Sequence, residues 1–425
     1  MKWIRKFLFE NIEIKQTLLK NTFWLFFGQS INLGFILLLS IFVARYLGAS
    51  GYGKFAFAIS FSALFSVFAD LGLSIYTVRE VARQLKRVSI YINNIITIKL
   101  ILGVLTFFII AISIQFLGKG REVKLLVYVF GLYVITNSSN DFLKSTFRAF
   151  EKMEYEATCM IFKGLAIFVT ASLFLLFRSS IIYIAVAYLI GAVFGFFFTL
   201  SSVNRRFQRI RIGVDKQFWK KLLKESWPFA LSLIFMSIYF NIDSVFISKM
   251  LGNRDLGIYS VGYTLLTTLY VIPYLLMQSY FPRLSNYYEK SPQKLPGLLK
   301  LSLIKITILL IPLIIILYFF SNRIILYLFG AEYRESVQIL QILIIALFIK
   351  FYSFPFGSLL TAANRQKTRV FIQGNTALFN IITNFIFIPM LGIIGAALTT
   401  IGSEFLLLIQ YSYFSKKILT SKTQT

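Results

Sequence analysis

Histidine is absent from this 425-residue chain, and cysteine occurs once, as Cys159. Without imidazoles or paired thiols there is nothing from which to build a His/Cys metal centre, a disulfide or a His-activated nucleophile. Neither a metal site nor a catalytic group is therefore expected, and the lone thiol reads as a small side chain packed in a helix. Charge is also scarce, at 14% of residues against about 25% in soluble domains. Acidic residues are the rarer sign, 17 against 44 Lys and Arg. A phosphate-binding P-loop is missing too: Gly118-Lys-Gly120 lacks the second glycine five residues on and the following Lys-Ser/Thr, so direct use of ATP is excluded.

What the chain has instead is apolar length. Hydrophobic residues make up 57%, mean hydropathy is +0.75, and the charges gather in short tracts between runs long enough to cross about 30 Å of hydrocarbon. Lipid satisfies no backbone amide, so the runs must be helices. Runs bounded by charge or turn residues predict an all-α polytopic membrane protein of about twelve helices, at roughly 21–44, 54–75, 90–117, 123–147, 155–177, 180–203, 226–250, 256–281, 298–321, 335–361, 369–389 and 393–414. Residues 1–20, basic and interrupted by Glu10 and Glu13, read as an amphipathic surface helix rather than a cleavable signal. Its Trp3, Ile4, Phe7, Leu8, Ile12 and Ile14 would face lipid.

The chain also repeats itself. Arg45-Tyr-Leu-Gly48 followed by Gly53-Lys-Phe55 returns 204 positions later (45 to 249) as Lys249-Met-Leu-Gly252 followed by Gly257-Ile-Tyr259. Further matches follow in order: Arg79 with Arg283, Ile98-Lys99 with Ile304-Lys305, Lys163-Gly164 with Gln373-Gly374. Two copies of a six-helix unit are expected, 1–210 with the leader and the first six helices and 211–425 with the last six, joined through a basic tract at roughly 204–225. An even number of helices per copy gives both the same orientation, related by a pseudo-twofold axis along the membrane normal. Basic residues concentrate on the side of both termini, including Arg205, Arg206, Arg209, Arg211, Lys216, Lys220, Lys221 and Lys224. The positive-inside rule then makes both ends cytoplasmic, in a cell membrane. The formal charge of +27 is accounted for by this topology and by headgroup contacts, not by nucleic acid.

Several motifs in order resemble the polysaccharide-type flippases of the multidrug/oligosaccharidyl-lipid/polysaccharide exporter superfamily. They are Ala44-Arg-Tyr-Leu-Gly48 with Gly51-Tyr-Gly53, Asp70-Leu-Gly-Leu73, Arg79-Glu-Val-Ala-Arg83, Asn241-Ile-Asp243, Leu256-Gly-Ile-Tyr-Ser260, Leu328-Phe-Gly-Ala-Glu-Tyr333, Ala363-Asn-Arg-Gln366, and Ile388-Pro-Met-Leu-Gly392 with Gly395-Ala-Ala397 and Glu404. The resemblance covers nearly the whole chain. It implies two six-helix lobes around a central cavity, moving a polyprenyl-phosphate- or diphosphate-linked oligosaccharide to the outer leaflet by alternating access. It also implies a role in O-antigen, lipopolysaccharide or capsule polysaccharide biosynthesis, alongside glycosyltransferases or a polymerase of the same pathway. A monomer is expected. Lipid II flippases of the superfamily usually carry two more helices than this chain has room for, which favours a glycan repeat unit.

Such a phosphate needs a cation to meet it in hydrocarbon. The candidates within or near spans are Lys350, Lys99, Lys305, Lys163, Lys144 and Arg148. Lys350 stands about 16 Å from the cytoplasmic end of its helix, beyond comfortable snorkelling, and leads the set. Lys99 and Lys305, matched between repeats, either snorkel, make a structural contact or flank a gate; Lys144 and Arg148 either set topology or collect the headgroup. Arg45 and Lys249 end equivalent helices, where a cation complements the helix dipole or meets phosphate at the exit. Asn32, Asn241, Asn137, Asn140, Asn375, Asn380 and Asn384 serve either sugar hydroxyls or helix contacts. Buried acids are costly unless paired. Among Asp70, Asp141, Asp243 and Glu404, the last two are candidates for coupling to H⁺ or Na⁺, with pairing to a lysine as the other use; no other cofactor is expected. A multidrug exporter of the same fold would need carboxylates where this chain offers lysines. A membrane glycosyltransferase or polymerase would need a large outer loop, and the expected outer loops are short.

Overall fold

A computed structural model of the protein describes residues 9–177, 180–207 and 209–423. It is helical throughout, with no strand among the described residues. Trp3, Ile4, Phe7 and Leu8 of the expected leader lie outside the described residues. Ile12 is exposed in a non-helical stretch, and Ile14 already belongs to the first described helix.

In chain order the helices are α1 (Ile14–Leu64), α2 (Leu73–Arg83), α3 (Val88–Ser113), α4 (Arg121–Ala149), α5 (Met153–Leu176), α6 (Ile181–Arg206), α7 (Lys216–Met250), α8 (Asn253–Leu269), α9 (Val271–Lys290), α10 (Leu295–Leu328), α11 (Ser336–Ala362), α12 (Gln366–Leu391) and α13 (Ile393–Thr423). Among the described residues, ten helical stretches are long and apolar enough to cross a bilayer. The first of them, α1, runs 51 residues, about 75 Å at 1.5 Å per residue, which is two crossings. Helix α4 is long enough but carries Asp141, Lys144 and Arg148 in its second half; with it, twelve crossings are accounted for.

The two helices expected at 21–44 and 54–75 are both present within α1, meeting at a kink at Gly48, where φ is 65° and ψ 177°. Its repeat counterpart Gly252 has φ 114° and ψ −178°. Glycine alone enters this region without a steric penalty, so the same residue turns the chain at the same place in both copies. Past the bend the helix stops at Leu64, short of the expected 75, in a 3₁₀ turn at Ser66–Ala69 with Leu71 and Gly72 at positive φ. The matching helix α8 stops at Leu269, and the single helix expected over 256–281 is divided at Tyr270.

By their contacts the residues fall into two compact units, 1–43 with 58–237 and 44–57 with 238–425. The core of the first gathers Tyr76, Ile92, Ile95, Phe142, Phe147 and Cys159; the thiol is buried as packing. In the second, Leu360, Ile372, Leu407 and Tyr411 form one buried cluster. The basic tract after α6 is non-helical over 209–215 and fastened to α3: Asn93 Oδ1 accepts the Arg211 amide (2.9 Å), and Asn94 Oδ1 accepts both the Asp215 amide (3.0 Å) and the Trp219 indole (2.9 Å).

Candidate functional site

In the second unit, α7, α11, α13 and the turn between α8 and α9 bring one lysine and one glutamate together. Lys350 Nζ lies 2.9 Å from Glu404 Oε1, with the glutamate fully buried and the lysine nearly so. The ammonium faces four rings: Tyr239 at 4.9 Å, Tyr270 at 5.4 Å, Phe240 at 5.7 Å and Phe354 at 6.0 Å from their centroids. Tyr239 also donates its hydroxyl to Glu404 Oε1. The ring faces attract the cation while excluding water from it. The second carboxylate oxygen, Oε2, is buried without a hydrogen-bond partner.

One turn along α7, Asp243 is held without an ion pair among the described residues. Its Oδ1 accepts from Asn384 Nδ2 (2.6 Å), and its Oδ2 accepts from Thr400 Oγ1 (3.2 Å) and the Tyr259 hydroxyl (3.3 Å). Asn384 Nδ2 also reaches Asn380 Oδ1 (3.1 Å), and Asn380 Nδ2 reaches Ser403 Oγ (3.3 Å). Asn384 Oδ1 is buried and unpartnered. A buried carboxylate among amide and hydroxyl oxygens is a hard-donor set, fit for a proton or a small hard cation. Because Tyr239 and Asp243 are four apart, as are Thr400 and Glu404, helical spacing joins the two carboxylates into one polar seam.

The first unit holds its cations in separate ties. Lys99 is buried, and its three N–H donors are met by the Ala69 carbonyl (2.9 Å), Asp70 Oδ1 (2.7 Å) and Ser138 Oγ (2.8 Å). It clamps the turn after α1 to α3 and α4. Lys163 donates to Asn137 Oδ1 (2.7 Å), Asn137 Nδ2 donates to Asp141 Oδ2 (3.2 Å), and Asp141 Oδ1 pairs with Lys144 at 2.6 Å. Arg148 Nε spans both oxygens of Glu156 at 2.9 and 3.0 Å. Asn32 is half-buried beside Gly164.

The remaining candidates belong to the second unit. Lys305 is exposed, 5.6 Å over the Tyr280 ring, so its match with Lys99 in sequence is not a match in environment. Arg45 donates to the Tyr327 carbonyl, Lys249 is exposed at the end of α7, and Asn241 is half-buried on the same helix. Sequence reasoning missed Tyr239, Phe240, Tyr270 and Phe354. Two of them carried a signal, since Tyr239 precedes Asp243 and Phe354 follows Lys350 by four residues, on the same helix faces.

A chain whose described residues are helical apart from turns and short connections, with this many apolar crossings and with charges paired inside them, is a multi-pass integral membrane protein. The model of the polysaccharide biosynthesis protein family matches residues 18–288, and the chain belongs to that family. The MatE family model matches residues 228–386. The chain is similar to the uncharacterized membrane protein MJ1068 of Methanocaldococcus jannaschii, at 22% identity over 95% of this chain and 85% of the relative. It is similar also to a putative O-antigen transporter of Shigella flexneri, at 23% identity over 90% of this chain and 94% of the relative. Its fold matches the lipid II flippase MurJ in an inward closed conformation, with TM-score 0.77 and 18% identity over 94% of this chain and 89% of that one.

Proposed function

We propose that the chain is a flippase for a polyprenyl-phosphate- or diphosphate-linked oligosaccharide, carrying its headgroup from the cytoplasmic to the outer leaflet by alternating access. Both termini are cytoplasmic in this reading, and the protein is not an enzyme. The observation that carries it, within a polysaccharide biosynthesis family, is the Lys350 ammonium held at 2.9 Å by Glu404 inside a span. A buried lysine that deep costs several kcal/mol unless compensated. Here the compensation is one carboxylate and four ring faces, all of which an entering phosphate replaces or shares.

In mechanism, the phosphate takes Lys350 as its counter-ion while the prenyl tail stays in lipid. Tyr239 and Tyr270 offer hydroxyls and faces to the adjoining sugar. An inside-negative potential drives an anion outward at about 2.3 kcal/mol per charge per 100 mV. Further drive comes from H⁺ or Na⁺ at Asp243 or Glu404; the unpartnered Asn384 Oδ1 beside Asp243 fits such an ion. A second reading, export of drug-like compounds, is favoured by the MatE match over 228–386.

The test is a deletion strain. Lipid-linked repeat units should accumulate on the inner leaflet, and the plasmid-borne chain should clear them. Unchanged repeat-unit distribution together with raised sensitivity to cationic drugs would favour the exporter.

A further inference from the structure

The segment between α6 and α7 is built to present two aliphatic side chains outward, and nothing in the transport reading uses it. A free linker would need no anchors, yet 209–215 is tied to α3 at successive residues. Besides the Asn93 and Asn94 bonds, the Gly213 amide donates to Thr97 Oγ1 and to the Asn93 carbonyl, both at 3.2 Å. With alternate residues turned toward α3, Ile212 and Val214 are left 76% and 65% exposed. Exposed basic residues flank them: Arg209 and Arg211 on the strap, Lys216, Lys220 and Lys221 on the first turns of α7. The two nearby acids are engaged, Asp215 Oδ1 capping the Phe218 amide (3.0 Å) and Glu225 accepting the Tyr76 hydroxyl.

The height of the strap follows from helix geometry. Helix α3 has 26 residues, about 39 Å at 1.5 Å per residue, and exceeds the roughly 30 Å hydrocarbon core by about 9 Å. The excess of about six residues is shared between its two ends, which puts the start of α3, with Asn93 and Asn94, near the boundary between headgroups and acyl chains. Aliphatic side chains at that level, ringed by cations, fit an anionic phospholipid surface and nothing soluble as well. The apolar pair enters the acyl boundary while the basic residues meet phosphates.

We propose that residues 209–221 form a docking element for anionic phospholipid headgroups, with Ile212 and Val214 inserted at the acyl boundary. It stands independently of what the protein transports.

The experiment uses the full chain in nanodiscs, with an environment-sensitive fluorophore on Ile212→Cys in a Cys159→Ala background, and on Val214→Cys as a second position. Phosphatidylcholine discs are compared with discs containing phosphatidylglycerol, quenching with shallow nitroxide lipids or aqueous iodide. The expected result is blue-shifted emission quenched by the lipid nitroxide, stronger with phosphatidylglycerol and weakened by Arg211→Gln/Lys220→Gln/Lys221→Gln. Iodide quenching that is equal in both lipids overturns the proposal, as does shielding from both quenchers, which would mean a protein partner. Should labelling unfold the chain, thermal midpoints of the unlabelled protein decide. Phosphatidylglycerol should raise the midpoint at low salt, and the triple substitution should remove the rise; no rise in the unsubstituted chain is the contrary outcome.

Discussion

Gly53 of α1 and Gly257 of α8, equivalent positions of the two repeats, meet backbone to backbone. A β-carbon on Gly53 would fall on the Asn253 carbonyl and within 2.9 Å of the Gly257 amide, and one on Gly257 would fall on the Ala49 carbonyl and within 3.1 Å of the Gly53 amide. Small residues permit such approaches between membrane helices. Substituting Gly257→Ala should therefore lower the thermal midpoint in detergent, with an overpacking cost of about 1–3 kcal/mol. Gly297→Ala, where nothing lies within 4 Å, should leave it unchanged or raise it. Equal effects at both sites would remove the contact from the account.

The same segment of α1 is locked from the Leu328–Tyr333 motif. Glu332 Oε1 accepts the Ala49 amide at 2.9 Å, and the Tyr333 hydroxyl donates to the Ala44 carbonyl at 2.9 Å. Tyr333→Phe removes one buried hydrogen bond, about 1 kcal/mol net. Hydrogen exchange at 45–50 should then quicken about fivefold, with exchange in α13 unaffected. Unchanged exchange at 45–50 would show that the bond does not hold the bend.

Lys99 is a structural clamp in this account, so its loss should be felt through Asp70. Lys99→Met removes the counter-ion of the partly buried Asp70 and the donor to the Ala69 carbonyl, and should destabilise the chain by about 1–3 kcal/mol, read as reduced folded yield. Asp70→Asn added to it should restore most of the yield. A double variant as poor as the single one would mean that the lysine acts elsewhere.

Glu404 offers a separable prediction about coupling. Glu404→Gln keeps an acceptor for Lys350 and Tyr239 and removes the charge. Transport by the variant in vesicles should become insensitive to ionophores that collapse the H⁺ or Na⁺ gradient. Transport and ionophore response both unchanged would take Glu404 out of the coupling role and leave Asp243.

Much of the fold was legible because a bilayer reduces folding to apolar length and turn chemistry. Twelve crossings and the repeat that contains Gly48 and Gly252 came from local text, and both glycines turn the chain. The end of the second crossing at Leu64 was not legible, because Phe65 to Ala69 remain apolar and only their backbone departs from the helix. The depth of Lys350 could be counted along its helix, but its aromatic surround could not, since Tyr239, Tyr270 and Phe354 come from three helices far apart in sequence. The repeat misled where partners had diverged. Lys99 finds Asp70, whereas Tyr274 stands at the matching position of the second copy, so Lys305 has no buried acid there to draw it in.

The central claim is that a phosphate headgroup passes through the positive charge at Lys350. Its most direct measurement is flipping of a fluorescent polyprenyl-phosphate-linked sugar by the purified chain in proteoliposomes, read as dithionite-accessible signal. Lys350→Arg should retain a substantial part of the rate, and Lys350→Gln, which removes the charge without setting a second carboxylate against Glu404, should abolish it. Equal rates for the two variants would contradict the account.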